Sequence, residues 1–443
     1  MTIDRDRNTL HALLVLAFAT DLLSPILIEK GILPSATRWI SPAAVALMIA
    51  LTLVRMLAWD RIPGAVWIII WFSLIGACVA LVRGQGAMAT AWGWWRMFEY
   101  PLVGLFAFLQ PNWPRRFPEW LSTSCVVILG VEVIVQIGQY FSGQKPGDLL
   151  AGTFGAYGTH NLMLFAVIAF CLALGHWLVE GKWMPLALVM ALSLVSNVLA
   201  ENKVFPVVVV SLSILTGVVA VVRNRDALRP TLYLVSLGLA IWCFALVYNA
   251  IIPTARTDSL ESYLQIAKIK AYSDSVRSSV HLGQGYSDIG RNYAVIYGLN
   301  AISTDTTTLL FGMGLGTRSE SRSLGITGSA LGQDALGLST GTSLLIIMQE
   351  LGLVGLGVLG GFVLWVVLTL AKDIIGDPCE ELVELRYALL LFTLLWPLWI
   401  WYAASWFAPF PMLLYWTALG YALREGKRQR MGTSSLQVSR QMT

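Results

Sequence analysis

Charged residues are scarce in this sequence: Asp, Glu, Lys and Arg make up only 13% of its 443 residues, whereas 56% are hydrophobic. Soluble domains carry about 25% charged residues, so this composition excludes an ordinary soluble fold. Apolar runs of about 20 residues, the length that crosses the hydrocarbon core of a bilayer, recur along almost the whole chain. The sequence therefore predicts an all-α polytopic membrane protein.

Paired cysteines are also missing. The five cysteines stand singly, without a Cys-x-x-Cys pair, and four of them lie inside apolar runs. This pattern provides neither a disulfide framework nor a zinc-binding motif, so we expect no disulfides and no structural metal. The net charge of +4 is spread over many loops and forms no basic patch, which argues against a nucleic-acid partner.

A cleavable signal peptide is a third absence. The first apolar run, Leu10 to Ile28, contains Asp21 and Pro25 and ends without a small-residue cleavage pattern, so we expect it to be the first spanning helix. No internal repeat or low-complexity tract is visible. The sequence predicts a single transmembrane domain over residues 1–443.

The apolar runs predict twelve transmembrane helices. They lie near residues 9–28, 40–58, 64–83, 90–109, 120–141, 159–179, 183–200, 204–222, 231–252, 341–371, 385–404 and 408–424. Most loop Lys and Arg residues then fall on one side, which the positive-inside rule identifies as the cytoplasm, together with both termini.

The opposite side carries one segment large enough to fold, residues 253–340, between the ninth and tenth spans. Within it, residues 259–280 are of mixed polarity. A further stretch begins at Arg291 and has an apolar helical face of Ala294, Val295, Gly298, Leu299 and Ile302. We expect both stretches to be helices that lie on or cap the membrane domain.

Ionisable residues inside a span cost about 2.5 to 3.5 kcal/mol each on insertion scales, so each needs a partner or a role. Arg96 and Glu99 lie three residues apart on the fourth span. They either pair with each other or leave Arg96 to bind a ligand. Asp21 and Glu132 have no partner nearby in sequence, so they are protonated, face water or pair across helices. We assign both to a structural role in helix packing. Glu350 in the tenth span either orients a cation, accepts a proton or lies at a helix contact.

Three stretches carry a family resemblance. The first is GTFGAYGTHNLM, residues 152–163, and the second is AENKVFPVVVV, residues 200–210, which contains Lys203. The third combines the Arg291 helix, LLFGMGLGT at 309–317 and GTSLLIIMQELGLVGL at 341–356. Together they resemble the O-antigen ligase/polymerase superfamily, the Wzy and WaaL type of integral membrane glycosyltransferases. Lys203 stands where many members have an arginine.

The resemblance implies a GT-C-like fold with about twelve transmembrane helices and one large extracytoplasmic helical loop. It places the protein in the bacterial inner membrane. It implies a glycan donor linked through pyrophosphate to a polyprenyl lipid, a glycan acceptor, membrane lipid around the protein and a chain-length regulator as a further partner. The implied reaction, polymerisation of repeat units on the outer side, uses neither a metal nor a cofactor.

The resemblance also implies roles for individual residues. Arg291 and Lys203 are the first candidates to stabilise the departing pyrophosphate. Arg96, Arg318 and Asn161 are further substrate-binding candidates, with Gly314 and Gly316 as a tight turn in which backbone approaches a helix or a head group. Candidates for a general base are His160, His281, Asp288, Asp334 and Glu350.

Each assignment has a plainer alternative. Arg291 could be a surface arginine, Lys203 a lysine that snorkels beside Glu201, and His160 a helix-capping or interfacial histidine. The GMGLG turn follows no strand–helix unit, which argues against a nucleotide loop.

Other functions also stay open. Ligase-like members have His-Asn where this sequence has Gly341-Thr342, so we favour a polymerase over a ligase that transfers the glycan to lipid A core or protein. A transporter of a lipid-linked or amphipathic solute is an alternative from another class. Such transporters usually show internal repeats, which are not visible here.

Overall fold

The computed structural model describes residues 2–56, 64–110, 112–114, 116–224, 276–281, 284–321, 324–330, 341–376 and 380–441, with short pieces between 238 and 274. The α-helices before the long loop are α1 Thr2–Glu29, α2 Ile40–Met56, α3 Gly64–Val82, α4 Ala87–Leu109, α5 Phe117–Phe141, α6 Thr159–Glu180, α7 Trp183–Leu199 and α8 Phe205–Asn224. Short 3-10 turns lie at Ser35–Trp39, Gly152–Phe154 and Ser405–Phe407.

The second half of the chain contains both helices and short strands. Its elements are β1 Val276–His281, β2 Gln284–Ile289, α9 Arg291–Ile302, α10 Thr306–Phe311, β3 Glu320–Ser321, β4 Ile326–Thr327, α11 Ser343–Gly376, α12 Glu380–Leu394, α13 Trp396–Tyr402 and α14 Pro409–Gln441. The β1–β2 and β3–β4 pairs are both antiparallel.

Among the described residues, five helical segments are long and apolar enough to cross a membrane: His11–Glu29, Ser35–Val54, Phe117–Phe141, Thr159–Glu180 and Ser343–Ile375. The pair Leu382–Leu394 and Trp396–Tyr402, bent by 46°, is a sixth candidate if it forms one span. Helices lie at the predicted position of every span except the ninth, residues 231–252, most of which falls outside the described residues. The predicted class, a helical membrane protein, therefore agrees with the structure at this coarser level.

The helix α6 lies at the centre of the described fold. In its most apolar stretch 83% of the residues are buried, against 22% for α1. A helix that is apolar on all sides is typical of a buried position. It contacts α5, α7, α12 and α14, which places the main hydrophobic core around it.

Small residues set the distances between neighbouring helices. A Cβ on Gly420 of α14 would overlap the Gly104 carbonyl oxygen of α4, and a Cβ on Gly175 of α6 would overlap the Glu384 carbonyl oxygen of α12. Lipid tails are as apolar as leucine, so helices in a membrane associate mainly through close packing of this kind.

The outer loop differs in part from the prediction. The end of the stretch 259–280, predicted to be helical, forms strand β1, so the loop is not purely helical. Valine and serine in VRSSVH have low helix propensity and valine favours strands, and pairing with β2 outweighs any helical tendency. The helix that begins at Arg291 is present, but its buried face consists of Ala294, Gly298 and Ile302, while Leu299 is exposed.

The close contact between α4 and α14 leads to a stability prediction. Replacing Gly420 with alanine should lower the free energy of unfolding by about 1 to 3 kcal/mol, because the new methyl group overpacks the interface. Thermal unfolding of the purified protein in detergent measures the effect.

The control is Gly357→Ala in α11, where a new Cβ meets nothing within 4 Å. Alanine is the better helix former, so this variant should match or slightly exceed the wild-type midpoint. Equal midpoints for the two variants would contradict the proposed packing.

Candidate active site

A break divides α11 at Gly352, whose φ of 66° lies in the left-handed region that favours glycine. The break frees backbone carbonyl groups that a continuous helix would use. The Met313 N–H donates to the Gln349 carbonyl (2.7 Å), and the Gly314 N–H donates to the Glu350 carbonyl (3.1 Å). The glycine-rich turn at 312–317 therefore supplies partners that backbone groups within a membrane protein need.

The turn fits because glycines let its backbone touch two other helices. A Cβ on Gly314 would overlap Ala80 of α3, and a Cβ on Gly316 would overlap the Ala89 carbonyl oxygen of α4. On the α4 side, a Cβ on Gly93 would overlap the backbone of Gly316. The structure thus places Gly314 and Gly316 against helices, which is one of the two roles predicted for this tight turn.

Glu350 lies in the last turn before the break and is 1% exposed. Its Oε1 accepts hydrogen bonds from the Arg318 N–H (3.0 Å) and from the Ser319 hydroxyl (3.2 Å). Its buried Oε2 has no hydrogen-bond partner among the described residues. The carboxylate is therefore held in place by one oxygen, and the other is available for a proton or a ligand.

Arg318, which follows the glycine-rich turn, is 2% exposed. Its Nε donates to the Gln349 Oε1, and its guanidinium carbon lies 5.8 Å from the centre of the Tyr297 ring. Tyr297 stacks on Tyr293 of the same helix, α9. An arginine that contacts an amide oxygen and an aromatic face is fixed in direction while its positive charge is retained.

Arg96 of α4 approaches the same carboxylate from another side. Its largest electrostatic interaction with a single charge is with Glu350, ahead of that with Glu99. Its guanidinium carbon lies 4.7 Å from the centre of the Phe407 ring. Arg96 therefore does not interact with Glu99 alone.

Arg291 begins α9 and lies beside α13. Its Nε donates to the Tyr402 carbonyl (3.0 Å), and its guanidinium carbon is 5.4 Å from the centre of the Tyr402 ring. Six residues, or about 9 Å along a helix, separate Arg291 from Tyr297, which contacts Arg318. The helix α9 packs on the first part of α11, where a Cβ on Gly298 would overlap Met348.

The turn after α13 joins these elements. The Ser343 N–H and hydroxyl donate to the Ala403 carbonyl (3.0 and 3.1 Å), and the Trp406 N–H donates to the Ser343 Oγ (2.9 Å). The Trp406 indole N–H donates to the Met97 carbonyl of α4 (2.7 Å). Thr342, at the position of the ligase His-Asn, caps α11 by accepting a hydrogen bond from the Leu345 N–H (3.2 Å).

Arg96, Arg318 and Glu350 therefore lie together next to the break in α11, and Arg291 begins α9, the helix that packs on the first part of α11. We refer to the three arginines as the arginine cluster. Besides Glu350, the carboxylates of Glu99 and Glu320 interact electrostatically with Arg96. The arginines suit a phosphate-bearing ligand, since guanidinium groups form bidentate, charge-assisted contacts with phosphate.

The remaining predicted residues lie on other elements. Lys203, in the turn between α7 and α8, forms an ion pair with Glu201 (3.1 Å), which also accepts a hydrogen bond from the Tyr248 hydroxyl (3.3 Å). His160 and Asn161 begin α6. His160 interacts electrostatically with Asp148. The Thr159 hydroxyl also donates a hydrogen bond to the Asp148 Oδ1 (3.0 Å).

The GTFG motif lies in a buried polar network on α5. Glu132 accepts a hydrogen bond from the Thr153 N–H (2.7 Å) and another from the Thr153 hydroxyl. Gln139 exchanges two hydrogen bonds of 3.1 Å with the backbone of Gly152. The assignment of Glu132 to packing agrees with these contacts, and the motif itself anchors the turn that precedes α6.

Sequence reasoning missed several partners of these side chains. Gln349, Tyr297 and Tyr402, which contact the arginines, and Ser319, which donates to Glu350, carry no charge. Tyr402 lies 111 residues from Arg291 in sequence. Only the three-dimensional packing brings them together. Of the other proposed bases, Asp334 falls outside the described residues, as do the side chains of His281 and Asp288.

Comparison with known proteins adds no assignment. The chain matches no model of a known protein family, and no curated protein is significantly similar to it. The case for a function therefore rests on the motifs and on the geometry of the site.

The contacts of α10 predict how acid affects the glycine-rich turn. Asp305 caps α10 by accepting from the Thr308 N–H (2.8 Å) and hydroxyl, and these hydrogen bonds hold the pKa of its carboxyl below its ordinary value. Arg83, in the turn that follows α3, donates to the Thr308 Oγ1 (2.6 Å). The cap should stabilise the turn at neutral pH and lose this effect as the pH falls through the lowered pKa, below about 3.9.

The test is amide hydrogen exchange of residues 312–317 at neutral pH. Asp305→Ala should speed exchange there, while Asp305→Asn, which retains an acceptor for the Thr308 N–H, should have a smaller effect. Equal exchange in wild type and Asp305→Ala would show that this cap does not support the turn.

Proposed function

We propose that this protein polymerises polyprenyl-pyrophosphate-linked oligosaccharide repeat units on the outer side of a bacterial inner membrane. The observation that supports it best is the grouping of Arg96 and Arg318 with Glu350, next to the helix that Arg291 begins; these residues are far apart in sequence. In this proposal the twelve-span topology applies, both termini are cytoplasmic, and the segment 253–340 faces the outside.

The reaction makes one demand that the arginine cluster meets. An acceptor sugar hydroxyl attacks the anomeric carbon of the donor, the bond from that carbon to the phosphate oxygen breaks, and its electron pair remains on the pyrophosphate. Charge thus grows on the leaving group in the transition state. Fixed cations in a site with little water stabilise such charge strongly. The assigned groups are Arg291, Arg318 and Arg96.

The attacking hydroxyl also has to lose its proton. Glu350 fits this role because the Arg318 N–H and the Ser319 hydroxyl hold its Oε1, while its Oε2 has no hydrogen-bond partner among the described residues. A general base needs this combination of fixed position and a free acceptor. The proton moves from the acceptor hydroxyl to Oε2 as the new glycosidic bond forms.

Two features bear on the alternatives. Gly341 stands at the position of the ligase histidine and offers no base, and Thr342 caps α11, which supports polymerisation over ligation. The break at Gly352 is a feature that transporters also show, where half-helices meet at a substrate site. Transport of a lipid-linked solute is therefore the second candidate.

Arg291→Ala should reduce polymerisation by about 100-fold or more, the loss typical when one group that stabilises developing charge is removed. The assay uses purified protein in lipid nanodiscs with a lipid-linked repeat unit, and gel analysis of the polymer ladder. Arg291→Lys should retain part of the activity, since lysine keeps the charge without the planar fork. The control is Arg38→Ala, at an exposed arginine in the turn before α2.

The outcomes separate the candidate functions. A ladder that collapses to single repeats in Arg291→Ala, but not in Arg38→Ala, supports the proposal. Polymer that reaches full length in cells but stays on its carrier indicates ligation. Uptake of a lipid-linked solute into proteoliposomes, with no transferase activity when both substrates are supplied, indicates transport.

Glu350→Gln should lower kcat by about 100-fold or more with a small change in KM, because the amide keeps an acceptor for the Arg318 N–H but cannot take a proton. Steady-state rates of repeat-unit consumption measure both constants. The thermal midpoint of the variant serves as the folding control. An unchanged kcat in a folded Glu350→Gln protein would remove Glu350 from the mechanism.

A further inference from the structure

A compact polar group lies at the C-terminal end of α6 and has no part in the proposed reaction. It consists of His176 and Glu180, one helical turn apart on α6, and Glu384 of α12. The His176 Nδ1 lies 3.0 Å from the Glu384 Oε2, and the His176 Nε2 lies 3.6 Å from the Glu180 Oε2. One ligand atom from each residue lies within 4.8 Å of the other two.

Close helix packing holds the three side chains opposite one another. Gly175 contacts the backbone of Glu384 so closely that a Cβ would overlap the Glu384 carbonyl oxygen. The separation of α6 and α12 is therefore set next to His176 itself. The three side chains are only partly buried, with 20 to 32% exposure, so an ion from solution can reach them.

The charges of the group favour a cation. Two ionised carboxylates within 4.8 Å of each other repel, and either a shared proton or a bound cation relieves this repulsion. Lys182 forms an ion pair with Glu180. The Lys182 side chain is 67% exposed, so this contact lies at the solvent-facing edge of the group. A neutral His176 leaves the negative charge of Glu384 without an equivalent partner among these four residues.

We propose that His176, Glu180 and Glu384 form a binding site for a divalent metal ion, Zn²⁺ or Mn²⁺. One imidazole nitrogen and two carboxylate oxygens are a donor set that suits these ions. Metal–ligand bonds of about 2.0 to 2.2 Å place neighbouring ligand atoms about 3 to 3.6 Å apart. One ligand atom from each of the three residues already lies within 4.8 Å of the other two, so small side-chain movements bring them around one ion. The bound ion joins α6 to α12, and Lys182 competes with it for Glu180.

The test uses the full-length protein without an affinity tag, stripped with EDTA and titrated with ZnCl₂ or MnCl₂ by isothermal calorimetry. We expect saturable binding of one ion per chain and a metal-dependent rise in the unfolding midpoint. His176→Ala and Glu384→Gln should both lose this binding. The histidine control, His11→Ala, should retain it.

A fourth variant keeps the proposal falsifiable if the others fold poorly. Lys182→Ala removes an exposed competitor and should tighten metal binding severalfold. Absence of binding by the wild type, equal binding in His176→Ala, or an unchanged affinity in Lys182→Ala would each overturn the proposal. None of these outcomes depends on glycosyl transfer.

Discussion

Backbone carbonyl groups inside a membrane domain need hydrogen-bond partners, and the break in α11 at Gly352 leaves two of them to be satisfied from elsewhere. The glycine-rich turn does this through the Met313 and Gly314 N–H groups. By lying there, the turn directs the following residues, Arg318 and Ser319, toward Glu350. A backbone requirement thus determines where the charged groups of the site lie.

Each arginine of the cluster contacts an aromatic ring. Arg96 lies over Phe407, Arg291 lies over Tyr402, and Arg318 contacts Tyr297 and Gln349. Aromatic faces and amide oxygens orient a guanidinium group. Lys203 differs, because its ammonium forms an ion pair with Glu201.

The sequence was informative where one local property decides the structure. Apolar runs located the helices, and buried charges pointed to Arg96 and Glu350. The motif around Arg291 located a helix, although its buried face was set by packing on α11. Strand β1 was missed because the residues around it show no clear helical or strand periodicity, and its pairing with β2 could not be read from the sequence. The contact of Arg291 with Tyr402 and the grouping of His176 with Glu384 depend on residues over 100 positions apart, for which one sequence carries no signal.

The turn at 403–407 has a consequence for the order in which the protein matures. It follows nearly all of the other site residues in the chain, yet it supplies the hydrogen bonds that link Ser343 at the start of α11 to Met97 of α4. A chain is inserted into the membrane from its N-terminus. The contact of α4 with Trp406 can therefore form only after the segment that follows α13 has been synthesised. A nascent chain therefore passes through most of its synthesis before the contacts between Ser343, Trp406 and Met97 can form.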